Sequence, residues 1–384
     1  MSNMISTIEK YCLGCIYFCF LFCYDDNLNK ISLYVLIPSA FLLCLTQYPN
    51  RKYNNYVVTL FILYVWVALS CFWATYYDLA SRQLHQIVGV VMLIVVISKL
   101  AHNKALIPYL YFAYVIVYVS SWYYAQTHIL TVLDLSVERM SDDKLNANTL
   151  AYYTFYYTIA TFICVDLINK PKVKKVFQLL FLLSIPMSFY TAILTGSRQV
   201  LILQIPLIAS CLYQRYGKMS IKSLISLVII LIIVFFLYKV FGEAIYDNSI
   251  LKSRNEENVK DDVRMTLLKD AFNVGLSNFL TGVGAGNFMR YTPERNFSHC
   301  TYLELFANTG ILGMTLYVQV IYKYLKKQYV RYRMTTDRMF LTFLLFGLFF
   351  AFDNIFYVFY PDMLLMSFWV LVISHSEVYY NNSN

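Results

Sequence analysis

The residues best suited to chemistry stand at the edges of apolar runs. Arg198 lies in Leu194-Thr195-Gly196-Ser197-Arg198-Gln199, a short break between two such runs. An arginine there can anchor an interface, its stem among apolar groups and its head in water. It can equally bind an anion at a helix N-terminus, where free backbone N–H groups already favour phosphate. In that second reading Ser197 caps the helix and Arg198 adds a forked, permanently charged donor. Arg264 follows Asp261-Asp262-Val263 and opens the amphipathic stretch Met265-Thr266-Leu267-Leu268-Lys269-Asp270-Ala271-Phe272, which predicts a helix. Taken alone, Arg264 reads as a solvated salt-bridge partner.

His299 lies where a long polar stretch gives way to an apolar one. A histidine there can titrate near neutral pH and act as a general base, or simply hydrogen-bond at a helix start. Glu304, five residues on, is placed to pair with a buried cation. Leu280-Thr281-Gly282-Val283-Gly284-Ala285-Gly286-Asn287-Phe288 spaces its glycines G-x-G-x-G, with no following lysine and no strand–helix alternation. It is neither a P-loop nor a dinucleotide fingerprint, and reads as a turn that lets backbones approach closely. No H-x-x-x-H, paired C-x-x-C or D-x-D stands near these residues, so no metal site is expected. Cys12, Cys15, Cys19 and Cys23 form a helical stripe without histidine, which reads as packing rather than ligation.

The elements that must carry these residues are set by composition. Of 384 residues, 59% are hydrophobic and 14% charged, with a mean hydropathy of +0.54. Soluble proteins run at about 25% charged, and a single compact core does not need this apolar excess. Disorder and a disulfide-stapled secreted module are excluded on the same grounds. The apolar residues fall in blocks long enough to cross a ~30 Å hydrocarbon layer. The fold class is therefore an all-α polytopic membrane protein with about twelve transmembrane helices, near 8–24, 31–46, 55–74, 84–98, 105–124, 147–167, 176–195, 199–214, 221–241, 300–322, 339–352 and 354–374. Residues 1–241 hold the first nine, 242–299 form a large external loop, and 300–384 hold the last three with the C-terminus. The segment 126–146 has the spacing of a helix lying in the interface.

The net charge of +9 sits in short runs between spans, as in loops that face anionic lipid, so nucleic acid is not an expected partner. With a cytoplasmic N-terminus, the inside loops carry eighteen lysines and arginines and the short outside loops five. This bias predicts both termini inside. Arg198, Arg264 and His299 then share the outer face. No cleavable signal peptide is expected, since the first apolar block lacks a basic start and a small-residue cleavage site. The two halves show no repeat, and the charged candidates gather at one face rather than at mid-membrane, which argues against a transporter.

Thr195-Gly196-Ser197-Arg198, Arg264, Gly282-Val283-Gly284-Ala285-Gly286-Asn287-Phe288, His299 with Tyr302-Leu303-Glu304, and Gly310-Ile311-Leu312-Gly313 together resemble the signature run of the O-antigen ligase and polymerase superfamily. Asn146-Ala147-Asn148-Thr149-Leu150-Ala151, after Arg139, resembles a further recurrent element, so the likeness covers roughly residues 139–315. The family's histidine is commonly followed by asparagine; here Cys300 stands there, a departure that bears on local geometry rather than on His299.

The resemblance implies a metal-independent glycosyltransferase of the bacterial inner membrane that uses no cofactor. Its substrate, as donor and acceptor, would be an undecaprenyl-pyrophosphate-linked oligosaccharide, with membrane lipids around it and a chain-length regulator as a further partner. It implies polymerisation of repeat units into O-antigen or a related surface polysaccharide, or else ligation of the finished glycan to lipid A core; a lipid-linked glycan transporter is the third alternative. Arg198 and Arg264 would hold the pyrophosphate, His299 would take the proton of the attacking hydroxyl, and Arg139, Ser197 and Glu304 would contact substrate. The 36 tyrosines suit sugar stacking, although interface belts and composition account for most of them.

Overall fold

Polar residues just ahead of the apolar runs start the helices. The computed structural model describes residues 5–129, 144–195, 197–216 and 263–383. Helix α1 (Thr7–Leu21) opens on a capping box: the Glu9 N–H donates to Ser6 Oγ at 3.1 Å, and the Ser6 N–H donates back to Glu9 Oε2 at 2.8 Å. Then come α2 (Asp26–Gln47), α3 (Asn55–Trp73), α4 (Tyr77–Leu100), α5 (Lys104–Ile129) and α6 (Ala147–Leu167). Asn54 caps α3 by accepting from the Val57 N–H, and Asn146 caps α6 by accepting from the Asn148 N–H. Helices α7 (Pro171–Thr195) and α8 (Arg198–Tyr216) follow, and beyond the undescribed stretch lie α9 (Val263–Ser277), α10 (Thr301–Thr335), α11 (Arg338–Asp353) and α12 (Met363–Ser383).

Among the described residues, eight helices are long and apolar enough to cross a membrane: α2, α3, α4, α5, α6, α7, α10 and α12. The chain is a multi-pass membrane protein. The expected spans near 8–24, 199–214 and 339–352 are present as helices α1, α8 and α11 but are not among the eight, and 221–241 lies outside the described residues. Of the expected external loop 242–299, the described part begins at Val263, and of the interfacial segment 126–146 only its two ends are described. One boundary needs correction. The last helix starts at Met363, not near 354, and residues 354–362 form a non-helical connection.

Two compact units make up the chain. One comprises residues 1–19, 30–110 and 258–384, the other 20–29 and 111–257. In the first, α3 and α9 pack on α10, α4 packs on α2 and α12, and α11 lies against α10 and α12. Its polar anchor is Glu9, only 1% exposed, which accepts from Arg51 at 2.7 Å and from Asn103 at 3.0 Å. Arg51 also donates to the Lys99 carbonyl, so one buried carboxylate ties the ends of α1, α2 and α4 together. Cys12, Cys15 and Cys19 are buried, with Cys12 against Cys44 and the Ala40 carbonyl of α2; the stripe serves packing there. In the second unit α6 is buried on every side against α7 and α8. Its threonines donate back to carbonyls one turn earlier, and Gln204 of α8 donates to Thr158 Oγ1 at 2.6 Å.

Candidate functional site

Helix α10 is broken. Gly310 has φ 70° and ψ −169°, so the helix is interrupted nine residues after it starts. A break frees carbonyls and N–H groups that a hydrocarbon layer cannot satisfy. The glycine loop satisfies them. The Val283 N–H donates to the Ala307 carbonyl and the Gly284 N–H to the Asn308 carbonyl, both at 2.9 Å. On the far side of the break the Ile311 N–H donates to the Phe279 carbonyl at 2.8 Å, and the Trp66 indole N–H donates to the Thr309 carbonyl at 2.9 Å. The G-x-G-x-G run therefore serves close backbone approach, as its spacing suggested.

The closeness forbids side chains at two positions. A Cβ at Gly282, whose φ is +67°, would collide with the backbone of Asn308 and Thr309. One at Gly310 would collide with the Leu280 carbonyl. Gly282→Ala is expected to destabilise the protein by about 3 kcal/mol, the upper end of overpacking costs. Gly14→Ala, which meets nothing within 4 Å, is the neutral control. Thermal melting of both variants in detergent micelles checks the difference, and equal melting points would contradict the close fit of the glycine loop against the break.

Asn287 and Asn308 lock the loop sideways. Asn287 accepts from the Tyr76 N–H at 2.7 Å and donates to the Tyr76 carbonyl at 3.1 Å, pinning the loop to the α3–α4 connection. Asn308 Oδ1 accepts from the Phe288 N–H at 2.8 Å, while its Nδ2 donates to Glu304 Oε1 at 3.0 Å. The other Glu304 oxygen accepts from the Ser298 N–H at 2.7 Å. Both oxygens of this buried carboxylate are thus engaged within the protein.

That bond sets the residue before His299, and Thr301 sets the residues after it. The Thr301 N–H donates to the carbonyls of Asn354 and Tyr357, at 2.8 and 3.1 Å, and its Oγ1 donates to the Tyr357 carbonyl. The same network explains why α12 starts late. Residues 354–362 spend their backbone groups on Thr301, the Tyr64 hydroxyl donates to the Tyr360 carbonyl, and Pro361 disfavours helix before it. Between these anchors His299 adopts φ +58°, a left-handed conformation uncommon outside glycine, asparagine and aspartate. Its ring packs on Phe297 with centroids 4.4 Å apart.

Phe297 walls a cavity of about 310 Å³ together with Arg82, Gln83, Glu304, Tyr357 and Asp362. Arg82 and Asp362 carry charge into it, and sequence reasoning passed over both. Arg82 stands as an isolated charge just ahead of an apolar run, with nothing local that links it to the 357–362 segment. Asp362 caps α12 by accepting from the N–H groups of Leu364 and Leu365, both at 3.0 Å. Burial pushes its carboxyl up to about 6, against an ordinary value of 3.8, although the cap bonds pull the other way. A folded pKa above the unfolded one contributes stability that is full below 3.8 and is lost as pH rises through about 6. The melting point should therefore fall between pH 4.5 and 7.5 more steeply for the wild type than for Asp362→Asn, which keeps a capping oxygen but no titration. Parallel curves would remove Asp362 as the cause.

The remaining expected site residues are distributed as follows. Arg264 is the second residue of α9 and half-buried, and Gly275 of the same helix lies under the Phe306 ring of α10. These belong to the first unit, with His299 and Glu304. Ser197 and Arg198 belong to the second unit, where Ser197 is buried and Arg198 is the first residue of α8. Arg139 lies outside the described residues.

A long apolar helix broken at Gly310 and closed by a glycine loop lies beside a cavity walled by Arg82, Asp362 and its own Glu304, which gives this multi-pass membrane protein a polar site next to the break. Residues 179–318 match the family model of O-antigen ligase (Wzy_C), and the similarity supports the O-antigen ligase and polymerase superfamily for this stretch. The match runs from α7 through the glycine loop and His299 to just beyond the break in α10. No curated protein matches the chain.

Proposed function

We propose that the protein is a glycosyltransferase that joins undecaprenyl-pyrophosphate-linked oligosaccharides into O-antigen or a related surface polysaccharide. The observation that carries this reading is the O-antigen ligase match, which spans both helix-opening arginines and the histidine turn. In the reaction an acceptor sugar hydroxyl attacks the anomeric carbon of the donor. The bond from that carbon to the pyrophosphate oxygen breaks, and its electron pair leaves with the lipid pyrophosphate. His299 takes the hydroxyl proton, and a single displacement inverts the anomeric carbon.

The leaving group is multiply anionic, and a reaction without metal relies on guanidinium groups for charge stabilisation. Arg198 and Arg264 serve as this clamp, each with two parallel donors for phosphate oxygens. Arg139 is a third phosphate contact or an acceptor-side residue, and Ser197 supports Arg198 at the start of α8. Glu304 is a positioning residue: it fixes Ser298, and through it the backbone that presents His299. The eighteen-to-five distribution of basic residues supports a reaction on the periplasmic face of the inner membrane, with both termini cytoplasmic.

Polymerisation is preferred over ligation on the compactness of the chain and the tight packing of the segment from the glycines to His299. A deletion strain examined for surface polysaccharide on a gel separates the two. A single repeat unit on the core is the expected phenotype. Loss of all attached glycan, with long chains still on the lipid carrier, would make the protein a ligase instead.

A further inference from the structure

A second cavity, of about 740 Å³, opens in the first unit between the start of α3 and the distal parts of α10 and α12. Lys52, Lys323, Lys326 and Lys327 line it, and among the described residues Glu377 is the only carboxylate in its wall. That carboxylate is already neutralised. Arg331, 4% exposed, holds its two oxygens at 2.9 and 3.0 Å, and Lys327 adds a bond at 2.8 Å. The wall therefore keeps a surplus of positive charge. The first turn of α3 enters the same cavity at Asn55 and Tyr56, bringing the positive end of a long helix dipole.

The depth of the cavity identifies its occupant. Lys323 lies 22 residues beyond the start of α10. The apolar run of α10 ends just before it, at Ile321 and Tyr322, and the basic run Lys323, Lys326 and Lys327 follows, as at the end of a membrane span. The lysines thus stand at headgroup level, while Tyr56, Val330 and Val378 give the cavity an apolar flank where acyl chains begin.

We propose that this cavity binds the phosphodiester headgroup of an anionic glycerophospholipid, at the end of α10 opposite the histidine turn. Basic pockets between membrane helices have the chemistry for such headgroups, with each lysine contributing about 1 kcal/mol near the membrane surface.

The test is native mass spectrometry of the full-length protein released from nanodiscs of mixed phosphatidylcholine and phosphatidylglycerol. The wild type should retain phosphatidylglycerol preferentially. Lys323→Gln with Lys326→Gln should cut that preference by about fivefold for each lysine removed. Lys323→Arg with Lys326→Arg should preserve it. Lys172→Gln with Lys174→Gln, on the first turn of α7 and outside the cavity, should also leave it unchanged. Equal retention by the wild type and the double glutamine variant would overturn the proposal. So would stabilisation of the wild type by inorganic phosphate alone in pure phosphatidylcholine nanodiscs, lost in the double glutamine variant, which would mark a site for free phosphate.

Discussion

His299→Asn is expected to lower glycan transfer by about a thousandfold while leaving the fold intact, within the range by which general bases accelerate proton transfer. Asparagine is the informative replacement because of the backbone. At φ +58° an alanine would add strain of its own, whereas asparagine tolerates the left-handed region and offers no base near neutral pH. The anchors on either side, Ser298 to Glu304 and Thr301 to Asn354, do not involve the imidazole and should hold. An unchanged melting point with lost transfer is the expected pair of readings. Transfer near the wild-type rate would leave the family assignment standing and remove His299 as the base.

The second large effect is expected from Arg198→Lys and Arg264→Lys, each lowering transfer by about a hundredfold, as when one charge-stabilising donor is removed from an active site. Lysine keeps the charge, so the loss isolates the fork: an ammonium cannot place two parallel N–H donors on a phosphate edge. Both arginines stand at or next to the first residue of a helix, where the adjoining backbone N–H groups also favour an anion. Chain length on a gel and initial rates with purified protein both read the effect. Near wild-type chain length in either lysine variant would end the pyrophosphate-clamp idea.

Much of this was legible in the sequence because it was written in local patterns. Apolar runs long enough to span a membrane gave most of the helices, and the alternation of polar and apolar positions after Arg264 gave α9. Glycines at fixed spacing gave a close-approach turn. Other features depended on partners far along the chain. The break at Gly310 is hidden inside an apolar run that reads as one continuous span, and only the Val283, Gly284 and Ile311 backbone bonds make it tolerable. The non-helical stretch 354–362 is stable because Thr301 and Tyr64, remote in sequence, take up its backbone groups. Asn308 offered the one local hint, a polar side chain just before that break. Arg82 and Asp362 meet one cavity only through the packing of α4 and α12, which no spacing rule reports.

The central claim is transfer of a glycan from a lipid pyrophosphate without nucleotide sugar. The most direct measurement uses purified protein in phospholipid vesicles with a synthetic polyprenyl-pyrophosphate-linked oligosaccharide, with and without lipid A core as a second acceptor. The account predicts two-repeat products without the core acceptor, one polyprenyl pyrophosphate released per linkage, inversion at the new bond, and loss of all three in His299→Asn. Donor that stays unconsumed with either acceptor, in vesicles where the protein is folded, would contradict it.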